Sequence, residues 1–169
     1  WKSNITHLIV RQTAIRQLGR FYFGDAKLYE LQRIDLIGNG NLSTIDQRAF
    51  DGLGQLEVLR VFGCVGLSHF NRQALSGLKS LRQFVWARND VLYSDLFVNI
   101  TRAASRHIVP SLQLLHIEST AQSSSFSLVD LKLTKDDLIQ LRQLRTLHLI
   151  NCNLRFIHPM TFVFLINLE

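Results

Sequence analysis

Two histidines in matching surroundings are the side chains best suited to metal or proton chemistry. His116 lies in the segment LHI and His148 in the segment LHL, so both occupy the same place in similar stretches of chain. If those stretches are neighbouring strands, the two imidazoles can bind a metal ion, or repel each other once both are protonated in an acidic compartment. The ordinary alternative is a pair of surface side chains, because two ligands without a third do not make a zinc site. We therefore expect no metal and no cofactor.

Catalytic motifs are missing from the sequence. It contains no phosphate-binding glycine loop, no G-x-S-x-G nucleophile motif and no H-E-x-x-H zinc motif, and its acidic residues are scattered. We expect no enzymatic activity in these residues.

The two cysteines, Cys64 and Cys152, are expected to be buried free thiols. Each occupies the same position of a repeating pattern, three repeats apart. That separation exceeds the ~7 Å between Cα atoms that a disulfide tolerates. A metal or redox pair would need clustered ligands, which this spacing does not provide.

Three asparagines stand in acceptor sequons for N-glycosylation: Asn4, Asn41 and Asn99. Asn4 precedes a predicted strand, Asn41 follows one, and Asn99 falls on the polar face of a predicted helix. All three should face solvent, which favours a secreted or extracellular chain. Chance alone supplies roughly one such triplet in a chain this long, and Asn, Ser and Thr are common in turns anyway.

A leucine pattern that recurs about every 25 residues must position all of these groups. One copy reads Leu56, Leu59, Val61, Cys64 and Leu67. Copies begin near Ile5, Leu31, Leu56, Leu81, Leu112 and Leu144, and a further frame opens at Leu168. The pattern resembles the leucine-rich repeat, L-x-x-L-x-L-x-x-N/C-x-L.

That resemblance implies an α/β solenoid, because one repeat cannot bury its apolar face without its neighbours. We expect a curved horseshoe with a parallel β-sheet on the concave side and a mostly irregular or short-helical convex side. Residues 1–169 should form one repeat array, and the missing terminal caps suggest an internal fragment of a longer ectodomain. Asn39 and Asn89 should satisfy backbone groups of the adjacent coil.

Alternation along the strands predicts which side chains face outward on the concave side. Apolar residues cluster there across the second to fourth repeats, with arginines around them, as in protein interfaces. The alternative is that neighbouring coils partly cover them. The predicted ligand-binding residues are Arg33, Asp35, Ile37, Val58, Arg60, Phe62, Arg82, Val85, Arg88, His116 and His148.

Two repeats are longer than the others, with irregular insertions at about 94–110 and 121–131. The first should contain the short helix that bears Asn99. The second is serine-rich and should protrude as a loop, with Phe126 as a candidate contact and a loop without function as the alternative.

The charge balance favours some partners over others. The net charge of +6 comes from 19 Lys and Arg against 13 Asp and Glu, without a basic run. Nucleic-acid binding would need stacking aromatics, and those here are expected in the core, such as Phe50, Phe84, Trp86 and Phe162. An acidic protein or a sulfated glycan is the better partner. No apolar run is long enough to insert into a membrane.

The repeat length and its apolar tail are similar to those of animal extracellular receptors and adhesion proteins, Toll-like receptors among them. The resemblance implies an extracellular module that binds a protein ligand or co-receptor through the concave face and loop edges, as a homodimer or heterodimer in some members. The alternative from another class is an intracellular adaptor or inhibitor scaffold, such as a substrate-recognition subunit of a ubiquitin ligase.

Overall fold

The computed structural model describes residues 4–24, 28–89, 109–119, 131–133, 141–152 and 154–169, together with Asn99, Ala103 and Leu138. Its main feature is a parallel six-stranded sheet with the order β1-β3-β5-β7-β8-β10. Each of these strands comes from one repeat, which confirms the expected solenoid. Their bounds are β1 His7–Arg11, β3 Arg33–Ile37, β5 Val58–Phe62, β7 Gln83–Asn89, β8 Leu114–Ser119 and β10 Thr146–Ile150.

Short strands on the return path of each coil form two smaller parallel sheets, which the sequence pattern did not reveal. One joins β2 (Gln17–Leu18), β4 (Thr44–Ile45) and β6 (His69–Phe70). The other pairs β9 (Leu131–Leu133) with β11 (Leu154–Ile157), and it aligns Leu133 with Ile157. These strands form because equivalent segments of successive coils meet. The two-residue strands β2, β4 and β6 pair in register, whereas the pairing of β11 with β9 shifts between Leu154 and Phe156.

The core is a continuous stack of frame residues between the sheets. In β5, Leu59 and Val61 are fully buried, whereas Val58, Arg60 and Phe62 between and beside them are not. Phe70 stacks on Phe84 with ring centroids 5.9 Å apart. Because each coil covers the apolar face of the one before it, burial depends on both neighbours.

Side chains at the Asn/Cys frame position bind the backbone of the preceding coil, as expected. Asn89 accepts a hydrogen bond from the Cys64 amide at 2.8 Å and donates to the Val61 carbonyl at 3.0 Å. Asn39 does the same for Thr13 and Val10. These bonds satisfy polar groups that would otherwise be unpaired in the interior.

The thiols at this position are buried and free, as the repeat spacing predicted. Cys64 donates weakly to the Leu36 carbonyl and Cys152 to the Ile117 carbonyl. Burial raises the pKa of both thiols, that of Cys152 to about 11. A protonated, inaccessible thiol is a poor nucleophile and a poor metal ligand.

Two expectations need correction. Phe162 was expected in the core but is 41% exposed, because among the described residues no further coil packs against the coil that contains it. The second insertion was expected to extend through residue 131, yet Leu131 begins β9. Most of both insertions, Phe126 included, lies outside the described residues.

Candidate functional site

The strand register assembles the predicted outward side chains into three straight columns. The central column aligns Ile9, Asp35, Arg60, Val85, His116 and His148 on successive strands. Its neighbours are set two residues before and two after in each strand, so Val58 and Phe62 flank Arg60. In-register parallel strands place successive members of a column about 4.8 Å apart.

We call the group of Ile37, Val58, Phe62 and Val85, with Arg60 among them, the concave patch. Phe62 is 38% exposed, and the other four are half-buried. Ile37 lies opposite Phe62 in the register, and Val85 lies opposite Arg60. The structure therefore brings these side chains together on one open face.

Asp35 was expected as an exposed part of the rim, but it is buried, with 4% of the residue accessible. Arg33 Nε donates to both carboxylate oxygens, at 3.0 and 3.2 Å, and Arg33 Nη2 lies 2.9 Å from Oδ2. His7 Nε2 lies 3.0 Å from the same Oδ2. Asp35 is a buried structural anion and is not open to a ligand.

The electrostatics of Asp35 reflect two opposing effects. Burial raises the pKa of its carboxyl group, but hydrogen bonds from Arg33 and His7 and attraction to Arg33 and Arg60 outweigh burial. The pKa of Asp35 is therefore lowered from its ordinary value, and the group is ionised at neutral pH.

Arg60 is the cation at the centre of the concave patch, and it lacks an ion-pair partner among the described residues. Its Nε is buried and has no hydrogen-bond acceptor. Arg82 is exposed just before β7, so its charge is solvated. The two arginines therefore differ: one is held between apolar side chains and the other is free in water.

Arg88 lies at the edge of the concave patch in an unusual backbone conformation. Its φ is +53°, in the left-handed region that non-glycine residues rarely adopt. Its guanidinium carbon lies 5.4 Å from the centroid of the Phe62 ring, and its Nε lies 3.7 Å from Glu118 Oε1. The strained backbone thus places a cation over the exposed ring.

His116 and His148 form the close pair that their matching segments suggested. Their Nδ1 atoms are 3.1 Å apart, and His116 Nε2 lies 3.5 Å from Glu118 Oε2. A hydrogen bond between these two atoms requires one Nδ1 to carry the hydrogen and donate it, and the other Nδ1 to accept the bond. No group of three or more His, Cys, Asp or Glu side chains within the described part of the chain could hold a metal ion.

The glycosylation sequons lie at different depths. Asn4 and Asn41 are exposed, whereas Asn99 is half-buried and helical. Ala103, four residues further on, is also helical and is fully buried.

Sequence reasoning missed the role of His7, which binds Asp35 across 28 residues. The strand alternation could have predicted this contact, because it places His7 on the neighbouring strand in the outward column next to that of Asp35. Sequence reasoning also missed a cluster outside the concave face. There the guanidiniums of Arg20 and Arg48 lie over the Phe21 ring, with carbon-to-centroid distances of 4.7 and 4.9 Å.

Comparison with known proteins agrees with this geometry. Residues 3–65 match the family model described as leucine rich repeat. These residues match the leucine-rich repeat, and the described coils as a whole have the fold of a leucine-rich repeat solenoid. No curated protein sequence matches the solenoid as a whole or in part.

Solved structures share the solenoid fold at low sequence identity. Human 5T4 (Wnt-activated inhibitory factor 1, trophoblast glycoprotein) has a TM-score of 0.69 and 19% identity, over 97% of this chain and 66% of that one. TLR13 in its complex with ssRNA13 has a TM-score of 0.56 and 20% identity, over 97% of this chain and 24% of that one. RP105 of the mouse RP105/MD-1 complex has a TM-score of 0.54 and 18% identity, over 97% and 29%.

The leucine-rich repeat solenoid thus spans less than two thirds of each of these three chains. Within its described residues, none of the helices combines the length and the apolar character that crossing a membrane requires.

Proposed function

We propose that the solenoid is an extracellular recognition module that binds a protein ligand or co-receptor through the concave patch and the adjoining loop edges. The observation that supports this most is Phe62, a large apolar ring that is 38% exposed at the end of β5, an inner strand of the regular sheet. Half-buried Ile37 lies opposite Phe62 on β3, half-buried Val58 and Val85 lie in the two other outward columns, and the Arg88 guanidinium lies over the ring. Exposed aromatic anchors with arginine neighbours are enriched in protein interfaces.

The composition of the concave face favours a protein partner over a nucleic acid. Phe62 is the one Phe, Tyr or Trp in the three outward columns of the described strands. Single-stranded nucleic acids need several stacking rings beside a basic groove. Among the fold neighbours, TLR13 was solved with ssRNA13 and RP105 with MD-1. The concave face therefore fits a partner of the kind in the RP105/MD-1 complex better than an RNA of the kind in the TLR13–ssRNA13 complex.

The extracellular part of the proposal is supported by the exposed sequons. Asn4 and Asn41 are open to an oligosaccharyltransferase once the chain has folded or while it folds. Peptide-level mass spectrometry of the natively expressed protein tests this directly. N-glycans on at least Asn4 and Asn41 support the secretory route, whereas unmodified asparagines at all three sequons favour the intracellular adaptor.

Site-specific photo-crosslinking tests the concave face. A benzophenone amino acid at position 62 should capture a partner at the surface of native cells, and the same group at Tyr29 is the control. Tyr29 is 59% exposed in the turn before β3, away from the concave patch. The captured protein is then purified, and Phe62→Ala should weaken its binding at least about tenfold. Equal capture at both positions, or unchanged affinity, contradicts the proposal.

A further inference from the structure

Arg60 stands out because the protein itself leaves it unsatisfied. Its Nε is buried without an acceptor, and no carboxylate within the described residues forms an ion pair with it. A buried donor without a partner is unfavourable, and more so on a charged group.

The nearest acid on the concave face is Asp35, which lies opposite Arg60 in the strand register. Both of its oxygens are already bound by Arg33, and Oδ2 is also bound by His7. The other acid in the outward columns, Glu118, lies near Arg88 and His116. Arg60 is attracted to Asp35, but both acids form their hydrogen bonds and ion pairs with other cations, and the described residues give Arg60 neither.

The surroundings of Arg60 restrict which ligand group can pair with it. Val58, Phe62 and Val85 flank it with apolar surface, so a bound partner would exclude water from the pair. A planar carboxylate matches the planar guanidinium with two parallel hydrogen bonds. A tetrahedral sulfate is best held by several converging donors, and here Arg33, on the neighbouring strand, already binds Asp35.

We propose that Arg60 binds the side-chain carboxylate of an Asp or Glu in an acidic protein segment, next to an apolar residue of that segment that packs on Phe62. This inference rests on the proposed function and specifies the chemistry of its partner. The recognised feature is one acid beside one aromatic or aliphatic residue. Sulfate and other oxyanions are the competing ligands.

A small probe can test the carboxylate site without knowledge of the natural partner. We would titrate the full chain with N-acetyl-Asp-Phe-amide and follow the arginine Nε–Hε signals by NMR, assigning Arg60 as the signal lost in Arg60→Gln. We expect a saturable shift of the Arg60 signal. The neutral analogue N-acetyl-Asn-Phe-amide should bind about tenfold more weakly, because the charge-assisted bonds are lost.

Matched variants distinguish a specific site from general attraction to a basic surface. Arg82→Gln removes an exposed charge just before β7 and should leave binding of the aspartyl probe unchanged. Arg60→Lys keeps the charge but lacks the planar fork, so binding should fall about tenfold. Equal losses in Arg60→Gln and Arg82→Gln overturn the inference. So does sulfate that shifts the Arg60 signal at the same concentration as the aspartyl probe.

The captured partner separates this inference from the proposed function. If Phe62→Ala weakens partner binding and Arg60→Gln does not, the carboxylate inference fails while the concave interface stands. If neither variant weakens binding, both fail. A loss in Arg60→Gln counts only when its urea unfolding midpoint matches that of the unmodified protein.

Discussion

At the scale of single residues, buried polar side chains stabilise the stack more than their small number suggests. Asn89 is fully buried and satisfies the Cys64 amide and the Val61 carbonyl. Asn89→Ala leaves both without a partner, and we expect a loss of about 3 kcal/mol in the free energy of unfolding. Urea unfolding measures it, with the exposed Asn41→Ala as the control, where the change should stay within about 0.5 kcal/mol.

Asp35 should make stability depend on acid pH. Its pKa is lowered in the folded protein, chiefly because bonds from Arg33 and His7 overcome burial. Its contribution is therefore complete above the unfolded value of about 3.9 and is lost as the pH falls through the lower folded pKa. Asp35→Asn should be less stable than the unmodified protein at pH 7, and the difference should shrink as the pH falls below about 3.9. A constant difference across that range in urea unfolding would refute this assignment.

Because of the strained backbone at Arg88, we expect a glycine variant at this position to be more stable than an alanine variant. Because φ is +53°, glycine fits the position without the steric cost that a Cβ atom causes. Arg88→Gly and Arg88→Ala both lose the contact with Phe62, so their difference isolates the backbone. We expect the glycine variant to be more stable by about 1 kcal/mol. In an ordinary strand the order is reversed, and finding that reversed order by thermal unfolding would exclude the left-handed conformation.

At this scale the sequence predicted positions better than contacts. The alternation of frame residues was enough to place Arg60 and Phe62 in their columns, because the strand period is two. It could not predict that Asp35 is buried, since that depends on His7 and Arg33 reaching it from two strands. The lack of an ion pair for Arg60 among the described residues follows from the same network and could not be predicted from the sequence either.

At the scale of elements, close packing of successive turns depends on Gly66. A Cβ atom there would collide with the Gly40 carbonyl oxygen of the preceding coil, which is backbone and cannot rotate away. Gly66→Ala should therefore cost more than about 2 kcal/mol of stability, as overpacking does elsewhere. Gly54→Ala is the matched control, because nothing lies within 4 Å of its added methyl group. Equal unfolding midpoints for the two variants would contradict the tight turn contact.

The main strands could be predicted and the small ones could not. Each main strand carries the L-x-L part of the frame, whose spacing is specific. The two-residue strands β2, β4 and β6 have no pattern of their own, and they exist because stacking brings equivalent segments together. Inter-coil pairing of this kind is a property of the stack and not of any single repeat.

At the scale of the whole molecule, the two buried thiols report on how the stack opens. Cys64 is 0% exposed in the third coil, and Cys152 is 6% exposed in the last described coil. When the 169-residue chain is studied by itself, opening an end coil breaks fewer contacts than opening a central one. In sub-denaturing urea we expect a thiol reagent to modify Cys152 faster than Cys64, as followed by peptide mass spectrometry. Identical rates would mean that the array opens as one unit.

The regular spacing of the columns also favours some partner conformations over others for a segment that crosses the strands. Neighbouring strands repeat about every 4.8 Å. A helix laid across the strands presents one side chain per turn of about 5.4 Å, so it falls out of step by roughly 0.6 Å per coil. An extended segment presents same-side residues about 6.6 Å apart and slips by roughly 1.8 Å per coil. A helical partner surface therefore stays aligned with successive columns over about three times as many coils as an extended one.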